Sequence, residues 1–151
     1  MDKKFEFLEH TADIKVKLYG VTLQEIFENG ISSFAHYVNS GNKISSTKGK
    51  LIDVQGQDIN SLLYNFFDEL IYLIDAEHFV ACKGIVTLRG NNLHAEIFGD
   101  DVKKYNLKQI KAATYAEMSV EKKKSGIWEA IVVHDVKKST PFILIIHFSN
   151  I

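Results

Sequence analysis

Cysteine, proline and tryptophan each occur once in this chain of 151 residues, as Cys82, Pro141 and Trp128. A single thiol excludes an internal disulfide framework, a CxxC zinc ribbon and a CxxC redox pair. Long apolar runs are missing too. The longest, Phe142 to Ile146, is far short of the ~20 residues that cross a bilayer. No apolar segment follows Met1-Asp2-Lys3-Lys4, so no signal peptide is expected and the chain reads as cytoplasmic. Enzyme signatures are equally sparse: there is no Walker A, GxGxxG, HExxH or GxSxG pattern, and no Cys-His ligand spacing.

What remains is a globular composition, 46% hydrophobic and 25% charged. A chain of this length forms one domain and buries roughly two-thirds of its unfolded surface. The 18 Lys+Arg and 19 Asp+Glu nearly cancel, but not locally. Residues 1–100 carry 9 basic and 14 acidic side chains, whereas residues 101–151 carry 9 and 5. Lys103, Lys104, Lys108 and Lys111 form one cluster and Lys122, Lys123 and Lys124 another. Such runs can contact phosphates, yet a solvated face or hairpin tip is the commoner use, and RNA binding would want stacking aromatics beside them.

Period-two alternation marks strands at 5–8 and 14–18, the second with Ile14, Val16 and Leu18 between Lys15 and Lys17. Thr22-Leu23-Gln24-Glu25 has the form of a capping box, and Leu23, Ile26, Phe27, Gly30, Ile31 and Phe34 then follow at helical spacing to about Val38. After a turn at 39–42 and a strand at 51–54, Asp58 is placed to cap a second helix. Its stripe is Ile59, Leu62, Leu63, Phe66, Phe67, Leu70, Ile71 and Ile74. Strands are predicted at 79–88, 93–98, 112–120 and 127–136, with hairpin turns at Gly90-Asn91-Asn92 and Ser125-Gly126. The expected fold is α+β: a single compact domain with two amphipathic helices packed on a largely antiparallel sheet.

Few residues invite chemistry. Cys82 sits in an apolar strand pattern and reads as structural. His10-Thr11-Ala12-Asp13 lies between two strands, where His and Asp side chains can fix a turn or present a carboxylate to a cation. Asp135 ends the alternation Ile131, Val133, Asp135, and a carboxylate on such a face needs a partner or a metal. If Asp135 lies near Asp13, two hard carboxylates plus backbone oxygens suit Ca²⁺ or Mg²⁺ better than zinc. The residues alone leave both readings open.

Taken together, the segment from Phe5 to Ile14 with its HTAD core resembles the opening of the archease family. The similarity continues through Thr22-Leu23-Gln24-Glu25, Gly56-Gln57-Asp58, Leu62-Leu63 to Leu70, and Ile110-Lys111-Ala112-Ala113-Thr114-Tyr115. It closes on the run from Trp128 to Val136, and so covers about residues 4–136. The resemblance implies a non-catalytic activator of the RtcB-type RNA ligase in tRNA splicing and RNA repair. Such an activator promotes guanylylation of the ligase and its multiple turnover, and touches RNA only through the ligase. It also implies a divalent cation, Ca²⁺ first and Mg²⁺ or Mn²⁺ as alternatives, held by Asp13, Asp135 and Val136. The alternative reading is a general chaperone or RNA-binding module, with a metal-dependent hydrolase ranked last.

Two departures from the family pattern stand out. Fifteen residues, 137–151, follow Val136, where many relatives end, so Val136 offers a peptide carbonyl and not a terminal carboxylate. Ala116 replaces a histidine common in relatives. The division expected is therefore an archease-like domain over 1–136 and a C-terminal extension over 137–151, in which Lys137-Lys138-Ser139-Thr140-Pro141 reads as a linker and Phe142–Phe148 as β-prone.

Overall fold

The computed structural model describes residues 3–10 and 13–136. The expectations for the 137–151 extension therefore lie outside the described residues. Seven strands and two helices follow one another as β1 (Phe5–Leu8), β2 (Ile14–Gly20), α1 (Leu23–Val38), β3 (Lys48–Gln55), α2 (Ile59–Glu77), β4 (Phe79–Arg89), β5 (Asn92–Asp101), β6 (Ile110–Lys122) and β7 (Trp128–Val136). A short 3-10 turn at Val102–Lys104 links β5 to β6. Every strand pairing is antiparallel, as the α+β reading expects.

Both helices begin where their capping signals stand. The Thr22 hydroxyl accepts from the Glu25 amide, and Glu25 reciprocates on the Thr22 amide, closing the box. Asp58 caps α2 by accepting from the Ser61 amide at 2.8 Å, and the Ser61 hydroxyl accepts in return from the Asp58 amide. Gly56 permits this tight β3–α2 turn, because a Cβ there would stand 2.5 Å from the Leu62 amide nitrogen. His78 ends α2 in the left-handed region, φ 55°.

One expectation needs refinement. The strands form two sheets, of order β1-β2-β7-β6 and β3-β5-β4. Each helix packs on both: α1 against β2 and β4, α2 against β6, β4 and β3. A helix shared by two sheets buries more than one stripe. Leu73, outside the stripe read from spacing, is accordingly buried. Leu62, Leu63, Phe66, Phe67 and Leu70 are fully enclosed, each contributing roughly 1.5–3 kcal/mol of burial free energy. The inner faces of β2 and β7 meet this layer through Val16, Leu18, Ala130 and Val132, all at 0% exposure. Their outer faces are left for other uses.

Candidate metal centre

The β2–β7 register positions the two aspartates. Ile14 lies opposite His134, Lys15 opposite Val133 and Val16 opposite Val132. Residues facing each other across an antiparallel pair share a sheet face, and successive residues alternate faces. Val16 and Val132 belong to the core under the helices and His134 meets Phe67 of α2, so this set points to the helices. Val133, opposite Lys15 on the other face, is buried as well. Asp13 precedes Ile14 and Asp135 follows His134, so the two aspartates flank the last pair of the ladder, at the same end of β2 and β7.

Two like charges set close on adjacent strands repel. Asp13 has one ionic neighbour, the His10 Nδ1 at 3.9 Å from Asp13 Oδ2. Asp135 has no hydrogen-bond or ion-pair partner among the described residues. A hard divalent cation fits this donor set, with water and backbone oxygens completing its shell. Among the described residues no cluster of three or more His, Cys, Asp or Glu forms a ready-made metal cage. Val136 lies opposite Ile110 on β6 with its half-buried side chain against the core, so only its backbone oxygen is a candidate ligand.

Beside the pair stands a residue that spacing did not reveal. The β6–β7 register runs from Thr114 opposite Val133 to Ser119 opposite Ile131. Residues 115–118 are thus accommodated opposite Val132 alone, and Glu117 in this bulge adopts φ 60°. From there its carboxylate reaches Lys15 Nζ at 2.8 Å and His10 Nε2 at 3.0 Å. Lys15 chiefly, then His10, holds the Glu117 carboxyl below the usual carboxylate range. His10 therefore ties β6 to the approach to β2. Its contact to Glu117 adds a role that its local motif did not show, beside the contact to Asp13 within that motif. Tyr115, in the same bulge, stacks on Tyr64 of α2 with centroids 4.4 Å apart and planes 7° from parallel. Ala116 is exposed here, beside Glu117.

Directly behind Asp135, His134 is buried with neither ring nitrogen hydrogen-bonded. It meets the Phe67 ring edge-on, centroids 4.7 Å apart. Burial pushes its pKa down to about 4, so the imidazole is neutral at pH 7. Cys82 is half-buried and unpaired, and burial pushes its thiol up, which fits a structural cysteine. The Lys122–Lys124 run occupies the β6–β7 hairpin. No helix among the described residues is long and apolar enough to cross a membrane.

With this geometry in view, comparison with known proteins is informative. Residues 5–136 match the Archease protein family (MTH1598/TM1083). The chain is 36% identical over 141 residues to protein archease of Pyrococcus abyssi, covering 89% of this chain and 99% of that one. It is 34% identical over 145 residues to protein archease of Methanosarcina barkeri, covering 89% and 97%. In fold it resembles the solution structure of Methanobacterium thermoautotrophicum protein 1598, with TM-score 0.71, 24% identity, and 87% and 98% of the two chains covered. It also resembles the crystal structure of a Thermotoga maritima archease described as a possible chaperone, with TM-score 0.63, 20% identity, and 90% and 98% covered. The family match spans both strands that carry the candidate aspartates, and this protein is a member of the archease family.

Proposed function

We propose that this protein is a non-catalytic activator of an RtcB-type RNA ligase in tRNA splicing and RNA repair, promoting ligase guanylylation and repeated turnover. What supports the reading is the place of Asp13 and Asp135 beside the Ile14–His134 pair at one end of β2 and β7, in a chain of the archease family. In this reading Asp13 and Asp135 supply carboxylates, and Val136 a carbonyl oxygen, to a divalent cation, Ca²⁺ before Mg²⁺ or Mn²⁺. The cation would supply positive charge at a surface otherwise bearing two unneutralised carboxylates. Glu117, Lys15 and His10 hold the neighbouring strands in register, so the aspartates stay at fixed separation. Membership of the archease family supports positioning a partner over chemistry of its own. The domain spans 1–136, and residues 137–151 are an extension to it.

The test is reconstitution. Cognate ligase, GTP, divalent metal and RNA ends are incubated with and without this protein, and guanylylation and product turnover are followed. Stimulation that is lost in the Asp13→Ala and Asp135→Ala variants, with folding retained, supports the proposal. Unchanged guanylylation and turnover would sink it. The alternative, a chaperone as one relative is described, predicts instead suppression of aggregation of unrelated proteins without metal or ligase.

A further inference from the structure

Away from the aspartates, at the other end of the β1–β2 hairpin, lies an open groove of about 440 Å³. It is bounded by the start of β1, the last turns of α1, the α1–β3 connection and β4. Lys4, Lys43 and Lys83 line it with His36, Ser32 and Ser46, and no carboxylate is among its lining residues. This is unexpected in the acidic part of the chain. Of the nine Lys and Arg in residues 1–100, Lys3, Lys15, Lys17, Lys48 and Lys50 each have a carboxylate partner. Among the described residues, the four without one are Lys4, Lys43, Lys83 and Arg89, and three of these four line this groove, Lys83 with its ammonium also 5.9 Å from the Phe98 ring centroid. Lys83 and Lys43 oppose the upward shift that burial imposes on the Cys82 thiol, while Asp100, buried behind the groove and already held by its own donors, adds to it. Two of the ammonium groups thus lie within electrostatic range of one sulfur on the groove wall.

We infer that this groove binds a ligand carrying several phosphate groups, the shared chemistry of a free nucleotide and an RNA strand. Three compact ammonium charges with hydroxyl donors beside them match clustered phosphate oxygens, whereas one carboxylate ligand would leave most of that charge uncompensated. The volume lies in the range of small-molecule sites. The competing explanation is edge protection. β1 and β4 are the outer strands of their two sheets, and lysines on such strands discourage edge-to-edge pairing. That purpose does not require three lysines from separate segments to line one concavity.

The inference is independent of the ligase, and so is its test. Full-length protein is titrated at low salt with inorganic pyrophosphate, with GTP and with a short single-stranded RNA. Binding is followed by calorimetry and by the alkylation rate of Cys82, the chain's one thiol. Saturable binding that slows alkylation is expected, weakened about tenfold or more by Lys43→Glu combined with Lys83→Glu and by added salt. The hairpin control, Lys122→Glu with Lys124→Glu, should change affinity less than about twofold. Binding of pyrophosphate and GTP assigns the groove to free nucleotide; binding of RNA alone assigns it to a strand. Lys4→Gln is the milder variant should the double reversal disturb folding, and it should also weaken binding. No saturable binding of any probe, or equal weakening by the hairpin control, overturns the inference.

Discussion

Two buried titratable side chains in this protein are treated in opposite ways. Asp100 on β5 is 1% exposed and accepts from the Thr47 hydroxyl at 2.6 Å, the Tyr105 hydroxyl at 2.7 Å, the Asp101 amide at 2.9 Å and Lys104 Nζ at 3.0 Å. Those donors, Thr47 and Tyr105 foremost, hold its carboxyl well below the usual carboxylate range. His134 on β7 is 2% exposed and hydrogen-bonds nothing. Its burial keeps it neutral by lowering its pKa to about 4. A charge is thus retained inside only where a ring of donors replaces its water, and a switchable group left without donors gives up its charge. Asp100 fastens β5 to the β3 approach and to the turn before β6. His134 fills space between β7 and α2, one residue from the candidate cation site.

This contrast can be broken or sharpened experimentally. The largest effect should come from Phe67→Ala, which removes a fully buried ring packed against Phe66 and His134. Denaturant unfolding should show a loss of about 3–5 kcal/mol, and NMR titration should show the His134 pKa rising towards its ordinary value as water enters.

The acid response comes next, and it separates the two residues. Between pH 6.5 and about 4 the unfolded His134 takes up a proton that the native imidazole refuses. Stability should therefore fall as pH drops through that window, by about 3 kcal/mol at most. His134→Leu should flatten this segment of the profile. Asp100 acts lower. Its native pKa is depressed, so its contribution is complete above the unfolded value of about 3.8 and disappears as pH falls below it. Asp100→Asn should lower stability at neutral pH and erase the dependence below pH 4, leaving the His134 segment in place.

Much of this frame was legible before any coordinates. The Thr22 and Asp58 caps and the α2 stripe are local signals, written within four residues or one helical period, and they fall where expected. The division into two sheets was not legible. It depends on pairings between segments far apart in sequence, such as β2 with β7, and alternation does not say which strands meet. The site was half legible. Asp13 and Asp135 were named as candidates, but their place at one end of β2 and β7 follows from register alone. Glu117 was invisible because its position depends on a bulge and a left-handed backbone, and the segment Thr114–Ser119 carries no glycine to advertise either. Of the donors around Asp100, Asp101, Lys104 and Tyr105 follow within five residues, whereas Thr47 arrives from before β3 and had no local signal.

A smaller effect concerns the aspartate pair itself. Without divalent metal, Asp13→Asn removes one of two like charges at one end of β2 and β7 and should leave thermal stability unchanged or raised by less than about 1 kcal/mol. With Ca²⁺ the order should reverse, since the ion stabilises only the chain that binds it. Glu117→Gln weakens the link between β6 and Lys15 on an exposed surface, and its cost should stay within about 1 kcal/mol.

The central claim is that Asp13 and Asp135 together hold a divalent cation, and the most direct measurement is a calorimetric Ca²⁺ titration of the full chain beside its Asp13→Asn and Asp135→Asn variants. The account predicts saturable one-site binding by the parent, loss of at least about tenfold in affinity in either variant, and little further loss when the two are combined. Equal Ca²⁺ affinity in all three chains, or no saturable binding by the parent, would contradict it.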